Sequence, residues 1–193
     1  MKKSSIIIIV AIAIVAIWAI TGYNGLVSQD ETVANSWANV EAAYQRRADL
    51  IPQLVNTVKG YANHEKSTLD AVVSARTKAT QMTVSVDELS EENIQKFQEA
   101  QGEVDAAIGR LLAITESYPE LKANKNFSEL QAQLEGTENR INEFRKRYND
   151  AVKTYNISVR RFPNNILAGM FGFERKAEFK AEEGASKAPE VNF

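Results

Sequence analysis

Residues 6–20 read IIIIVAIAIVAIWAI, without a charge or a strong hydrogen-bonding group. With Ser4, Ser5, Thr21 and Gly22 the run reaches the roughly 20 residues that a helix needs to cross a hydrocarbon core. Its eight isoleucines favour insertion by roughly 4 kcal/mol at about −0.5 each. The anchor is therefore Ile6, Ile7, Ile8, Ile9, Val10, Ile12, Ile14, Val15, Ile17, Trp18 and Ile20. A cleaved signal peptide fits worse: Ala11 and Ala13 leave too short an apolar core before them, and Ala19 has Ile17 at −3. Lys2 and Lys3 precede the span, and Asp30 and Glu31 are the first charges after it. The positive-inside rule places the N-terminus in the cytoplasm and the rest outside, in a periplasm or at the cell surface.

The remainder is about one domain's worth of residues. The formal charge of −2 becomes −4 once Lys2 and Lys3 are set aside. An acidic domain of this kind lacks the basic stripe that nucleic acid requires. There is no cysteine, so a disulfide framework and thiolate metal sites are excluded.

Residues 1–22 form the cytoplasmic end and anchor, and residues 23–30 read as a hinge around Gly25. Ser28 and Glu31 have capping-box spacing, which predicts a helix start just after Ser28. Val33, Trp37, Val40, Tyr44, Ala48, Ile51, Val55 and Val58 then make one helical stripe. Pro52 removes the bond to the Ala48 carbonyl and predicts a kink. A second helix is expected from about His64 to Met82, with Leu69, Val72, Val73 and Ala79 inward. Val84 to Ser90 reads as a loop with cap candidates at Asp87 and Ser90, and the third helix that follows is expected to run to Tyr118, ended by Pro119. The fourth starts near Asn126 and carries Phe127, Leu130, Leu134, Thr137, Ile141, Phe144, Tyr148, Ala151, Tyr155, Val159 and Phe162 at strict heptad spacing. No strand pattern competes.

The fold expected is all-α: a single transmembrane helix, then an antiparallel up-and-down four-helix bundle over residues 31–173. An even number of antiparallel helices returns the chain to the membrane. There the apolar segment 163–173 places Ile166, Leu167, Met170, Phe171 and Phe173. Packing against the bundle is the simpler expectation for these residues. Insertion into the lipid interface is the alternative. Residues 174–193 read as a disordered tail. Its Val191 and Phe193 suit capture by a partner groove, although a frayed end is the simpler reading.

Several strings occur together: Tyr23-Asn-Gly-Leu-Val27, Arg47-Ala-Asp-Leu-Ile-Pro-Gln-Leu-Val55, Val58-Lys-Gly-Tyr-Ala-Asn-His-Glu65, Arg147-Tyr-Asn-Asp-Ala-Val152, Arg161-Phe-Pro-Asn164 and Phe171-Gly-Phe173. The set resembles the LemA family of bacterial envelope proteins and covers nearly the whole chain. Gln53 departs from the Asn usual in that family's Leu-Ile-Pro-Asn-Leu-Val string, keeping the amide. The resemblance implies one membrane span and an external helical bundle, and no generally accepted biochemical activity.

Catalytic chemistry finds little footing. His64 is the one histidine, which excludes a zincin pair and di-metal Glu-x-x-His repeats; it reads as the start or cap of helix two. Glu91-Glu92 and Glu182-Glu183 read as solvated. Arg47, Asp49, Asn149 and Asn156 lie near the seams, either lining a polar pocket or, more simply, fixing helix register through hydrogen bonds. The expectation is a non-enzymatic scaffold or adaptor on the membrane that binds protein partners or itself. It needs no cofactor, nucleic acid or small-molecule substrate. The alternatives are an adaptor or substrate of a membrane protease recognised through the tail, and, least favoured, an envelope hydrolase.

Overall fold

A computed structural model of the chain describes residues 3–62 and 64–180. Lys2, Val191, Phe193 and the tail beyond Lys180 lie outside the described residues. Six helices follow one another: α1 (Lys3–Lys59), α2 (Lys66–Gln81), α3 (Glu91–Thr115), α4 (Pro119–Lys122), α5 (Lys125–Arg160) and α6 (Asn164–Phe171). A single 3-10 turn, Val86–Glu88, precedes α3. Among the described residues there is no strand.

α1 is 57 residues long, about 85 Å at ~1.5 Å per residue. It overturns the expected hinge over residues 23–30 and the helix start after Ser28. Leu26 and Val33 are both fully buried, and this shared face holds the helix together through Gly25, offsetting the ~1 kcal/mol that a helical glycine costs. Instead of opening a cap, the Ser28 carbonyl accepts the Thr32 hydroxyl within the helix, at 2.8 Å.

The expected loss at Pro52 is repaired from another helix. Proline offers no N–H to the Ala48 carbonyl, and that carbonyl accepts the Arg76 Nε of α2 at 2.7 Å. α1 continues to Lys59 with Pro52 inside it.

α1 and α5 pair along their lengths, with numbers rising along one as they fall along the other. Trp37 meets Tyr148, Arg47 meets Glu138, and Tyr61 meets the α5 cap residue Asn124. α2 packs on both α1 and α3. Buried side chains form two clusters. The outer one centres on Leu54, Val58, Val72, Val104, Leu111, Leu121 and Leu130. The inner one, nearer the apolar end of α1, centres on Trp37, Val40, Phe97, Tyr148 and Tyr155.

Between the clusters Arg47, only 2% exposed, ties three helices together. It donates to Asp105 and to Gln101 Oε1 of α3, and to Glu138 of α5. Its guanidinium also covers the Tyr44 ring.

Several boundaries differ in detail. Ser90 caps α3 as its spacing implies, but α3 ends at Thr115, and Pro119 opens α4, a single turn that buries Leu121. The α5 cap is Asn124, not Asn126; its side chain accepts from the Phe127 N–H at 3.1 Å. Because α5 stops at Arg160, Phe162 leaves the seam and is exposed. Val152, not Ala151, completes the buried stripe. Val73 turns outward, and α2 starts after His64, with Glu65 at its cap position.

Removing the Arg76 donor orphans the Ala48 carbonyl. Arg76→Met should therefore cost roughly 1–3 kcal/mol in urea unfolding followed by circular dichroism. Pro52→Ala restores a helical N–H to the same carbonyl, so the double variant should recover most of that loss. Strictly additive effects would show that Arg76 does not serve the proline gap.

Candidate functional site

The described residues include one helix long and apolar enough to cross a membrane, the N-terminal part of α1. The isoleucines from Ile6 to Ile20 all face outward, as lipid-facing residues must. Thr21 at the end of the span returns its hydroxyl to the Ile17 and Trp18 carbonyls, at 2.8 and 3.1 Å. The Thr21 hydroxyl is thereby satisfied within its own helix.

α6 lies against α1 at this level. A Cβ on Gly22 would fall 2.7 Å from Leu167 Cδ1, so Gly22 is what allows α6 to approach. Trp18 and Ala19 pack against the inner cluster that includes Leu167 and Ala168. Tyr23 stands edge-on to Phe171 and Phe173, with centroids 4.9 and 5.8 Å apart. The five apolar residues of segment 163–173 thus divide. Leu167 is buried on protein and Phe173 half-buried, while Ile166, Met170 and Phe171 are exposed, Met170 to 72%. Phe162 and Ile157 add exposed apolar surface, beside the exposed Arg160 and Arg161.

The segment after α6 is the larger surprise. Gly172 caps α6 in the left-handed region, φ 76°, and the chain then runs extended to Lys180 between α3 and α5. The tail expected to be disordered from residue 174 is docked as far as the description reaches.

Three side-chain amides grip this strap by its backbone. Asn156 donates to the Lys176 carbonyl and accepts its N–H, at 2.8 and 3.0 Å. Asn149 does the same for Phe179, at 3.0 and 2.8 Å, and Gln98 for Lys180, at 3.1 and 3.3 Å. The Ala177 N–H donates to the Leu89 carbonyl at 2.9 Å, and the Tyr148 hydroxyl donates to the Ala177 carbonyl at 2.8 Å. The two asparagines therefore hold a chain segment and do not set helix register.

Two strap side chains are specifically housed. Phe179, 6% exposed, stacks on Trp37 at 5.8 Å and 22°, meets Tyr148 edge-on, and lies under Arg145. Lys176 pairs with Asp30 of α1 at 2.8 Å, donates to the Val86 carbonyl and sits over the Tyr155 ring. The Trp37 indole N–H donates to the Val84 carbonyl at 3.0 Å, so the aromatic cage is fixed from two sides.

With this architecture in view, the kinship of the chain can be stated. A family model described as the LemA family matches residues 36–193. The chain belongs to the LemA family. It is 29% identical over 184 residues to Magnetosome protein MamQ 2 of Paramagnetospirillum magneticum, covering 86% of this chain and 67% of that protein. It is 27% identical over 184 residues to Magnetosome protein MamQ of Magnetospirillum gryphiswaldense, with the same coverage. It is 26% identical over 160 residues to Protein LemA of Metamycoplasma hominis, covering 83% of this chain and 69% of that protein. The matched region includes the Trp37 cage and the strap.

In this LemA-family chain the other residues singled out from sequence are scattered. His64 is exposed in the turn before α2, and Asp49 accepts Gln45 on the surface. Arg47 borders a groove of about 530 Å³ between α3 and α5, lined by Asp105, Gly109, Leu112, Leu134 and Glu138 among others. Nothing in sequence periodicity marks the strap. Its available signal is the pair Asn149 and Asn156, two amides seven residues apart on the core side of α5, matched to a Lys-x-x-Phe further on.

Burial pushes the phenols of Tyr44 and Tyr155 up to about 12, and it also raises Tyr148. Against an ordinary value of 10.0, the native state holds these protons more tightly than the unfolded chain does. The stabilisation is complete below about pH 10 and is lost as pH rises through the folded value. The melting temperature should hold steady to pH 9 and fall between pH 10 and 12. Tyr44→Phe should soften that fall, as circular dichroism melts will show. Separately, Phe179→Ala should cost roughly 3 kcal/mol by emptying the cage, while Lys180→Ala costs under about 0.5. In a Trp18→Phe background, Trp37 emission should shift red for the first variant only.

Proposed function

We propose that this protein is a non-enzymatic, membrane-anchored scaffold of the bacterial cell envelope. Its N-terminus is cytoplasmic, and the helices beyond the span form an antiparallel up-and-down four-helix bundle outside. The observation carrying this reading is the height of α6. Leu167 fixes it against Gly22, at the end of the apolar run, so Ile166, Met170 and Phe171 face outward where headgroups meet acyl chains. Exposed Arg160 and Arg161 suit the phosphate layer beside them. The protein then touches the membrane twice, through the span and through α6. Two contacts hold the rod upright, whereas a single tether would leave it free to tilt.

The paired helices support the bundle reading through the opposed numbering of α1 and α5. Mixed charge on the outer faces of α2, α3 and α5, with exposed ion pairs such as Lys78–Glu103 and Arg147–Glu143, leaves long polar surfaces for protein partners or further copies. The alternative role, as adaptor or substrate of a membrane protease recognised through the tail, is narrowed. Residues 174–180 are engaged with the helices, so such recognition falls to the segment after Lys180.

A cysteine-free chain allows a clean test. Met170→Cys carrying an environment-sensitive fluorophore should be quenched by shallow nitroxide lipids in nanodiscs, and the same probe at Gly136→Cys should not. Protease added to spheroplasts should digest α5 while sparing a tag placed before Ser4. An unquenched probe at position 170 would remove the second membrane contact, and a digested N-terminal tag would invert the topology.

A further inference from the structure

The strap is bound as a ligand is bound. It has no secondary structure of its own, and its backbone is satisfied by groups projected from the helices: Asn156, Asn149 and Gln98 as two-way amide clamps, with Leu89 and Tyr148 between them. This is main-chain recognition of the kind that strand addition uses, with pockets for alternate side chains setting register. Here the pockets take a basic residue, Lys176, and an aromatic one, Phe179, three positions later. Main-chain clamps do not distinguish a segment of the same chain from an identical segment of another.

We propose, building on the scaffold reading, that this groove also works in trans: residues 173–180 of one anchored copy dock into the α3–α5 groove of a neighbouring copy, linking them on the membrane. Every contact of residues 176–180 can be made between two chains as within one, so exchange costs no contact there at equilibrium; only the α6 cap, where the Phe173 N–H bonds the Ala168 carbonyl, has to open. Release turns on the join to α6, where Gly172 holds a left-handed conformation, a Cβ would meet nothing within 4 Å, and Glu174 and Arg175 are exposed. The helices that build the groove need not unfold, so the opening is local.

The geometry of α1 favours a neighbour as the source. Trp37 stands on the same unbroken helix as the span, 15 residues past Gly22, or about 22 Å at ~1.5 Å per residue. Copies in one membrane therefore carry groove and strap at equal height and in the same orientation. Confinement to a plane raises their effective concentration further. The strap's own side chains supply the complementary chemistry: Lys176 for Asp30, and Phe179 for the Trp37 cage.

The test uses two full-length chains with different tags, co-expressed in membranes. One carries Gln98→Cys and the other Lys180→Cys, positions in direct contact; with no native cysteine, a short bis-maleimide can join only these sites. The expected result is a mixed-tag crosslinked dimer. It should fall at least fivefold when the Lys180→Cys chain also carries Phe179→Ser, or when excess synthetic peptide of residues 173–180 is added. The peptide arm stands even if the Phe179→Ser chain fails to fold. A chain with both cysteines supplies the internal control, closing on itself.

Exchange is overturned if the control closes and no mixed dimer forms, or if the mixed dimer ignores the peptide. Co-purification of the two cysteine-free tagged chains separates this result from the scaffold reading. If the tags co-purify without the 98–180 crosslink, self-association stands by another surface and exchange falls. If they never co-purify and no crosslink forms, self-association falls with it.

Discussion

One unbroken helical ladder carries both the outward-facing isoleucines and about a third of the core. From Lys3 to Lys59 the backbone of α1 passes from a stretch whose side chains all point outward to a stripe with Val33, Trp37, Val40 and Val58 fully buried. A backbone in hydrocarbon has no water to turn to, so a run of this length that crosses a membrane has to be helical. Beyond the span, burial of Leu26 and Val33 keeps it going. The groove, the aromatic cage and the α6 contact are all positioned by this one rod, and so is their distance from the apolar run.

A helix this long has one point of failure, Pro52, and the structure meets it from outside. Arg76 gives Ala48 the hydrogen bond that proline cannot. One turn earlier, Arg47 binds α3 and α5 through a buried guanidinium shared among Asp105, Gln101 and Glu138. A buried arginine is tolerated only when its donors are met, and here meeting them requires three helices at once. The two arginines thus join α1 to α2, α3 and α5 around its weakest turn.

The strap shows polar side chains doing the work of a sheet neighbour. Between α3 and α5 a non-helical segment enters, and amides from both helices satisfy its backbone while Phe179 fills the space against Trp37. An interior cannot keep such a gap empty, because packing near crystalline density leaves few voids. The LemA-family match, over residues 36–193, spans the Trp37 cage, its clamps and the strap.

Sequence alone determined the local facts: the membrane-length apolar run, most of the heptad stripe of α5, the Ser90 cap and the proline gap. Each depends on neighbours within a turn or two, where periodicity and backbone sterics decide. Local composition alone points to a hinge at Gly25 and a disordered tail at residues 174–180, and the structure has neither. What rescued helix at Gly25 was the burial of Leu26 and Val33 against other helices. What ordered the strap was Asn149, Asn156 and Gln98, between 20 and 82 positions away in the chain. Only the tertiary structure could supply those partners, since a hydrogen bond across such a separation exists only once the helices that carry it have packed.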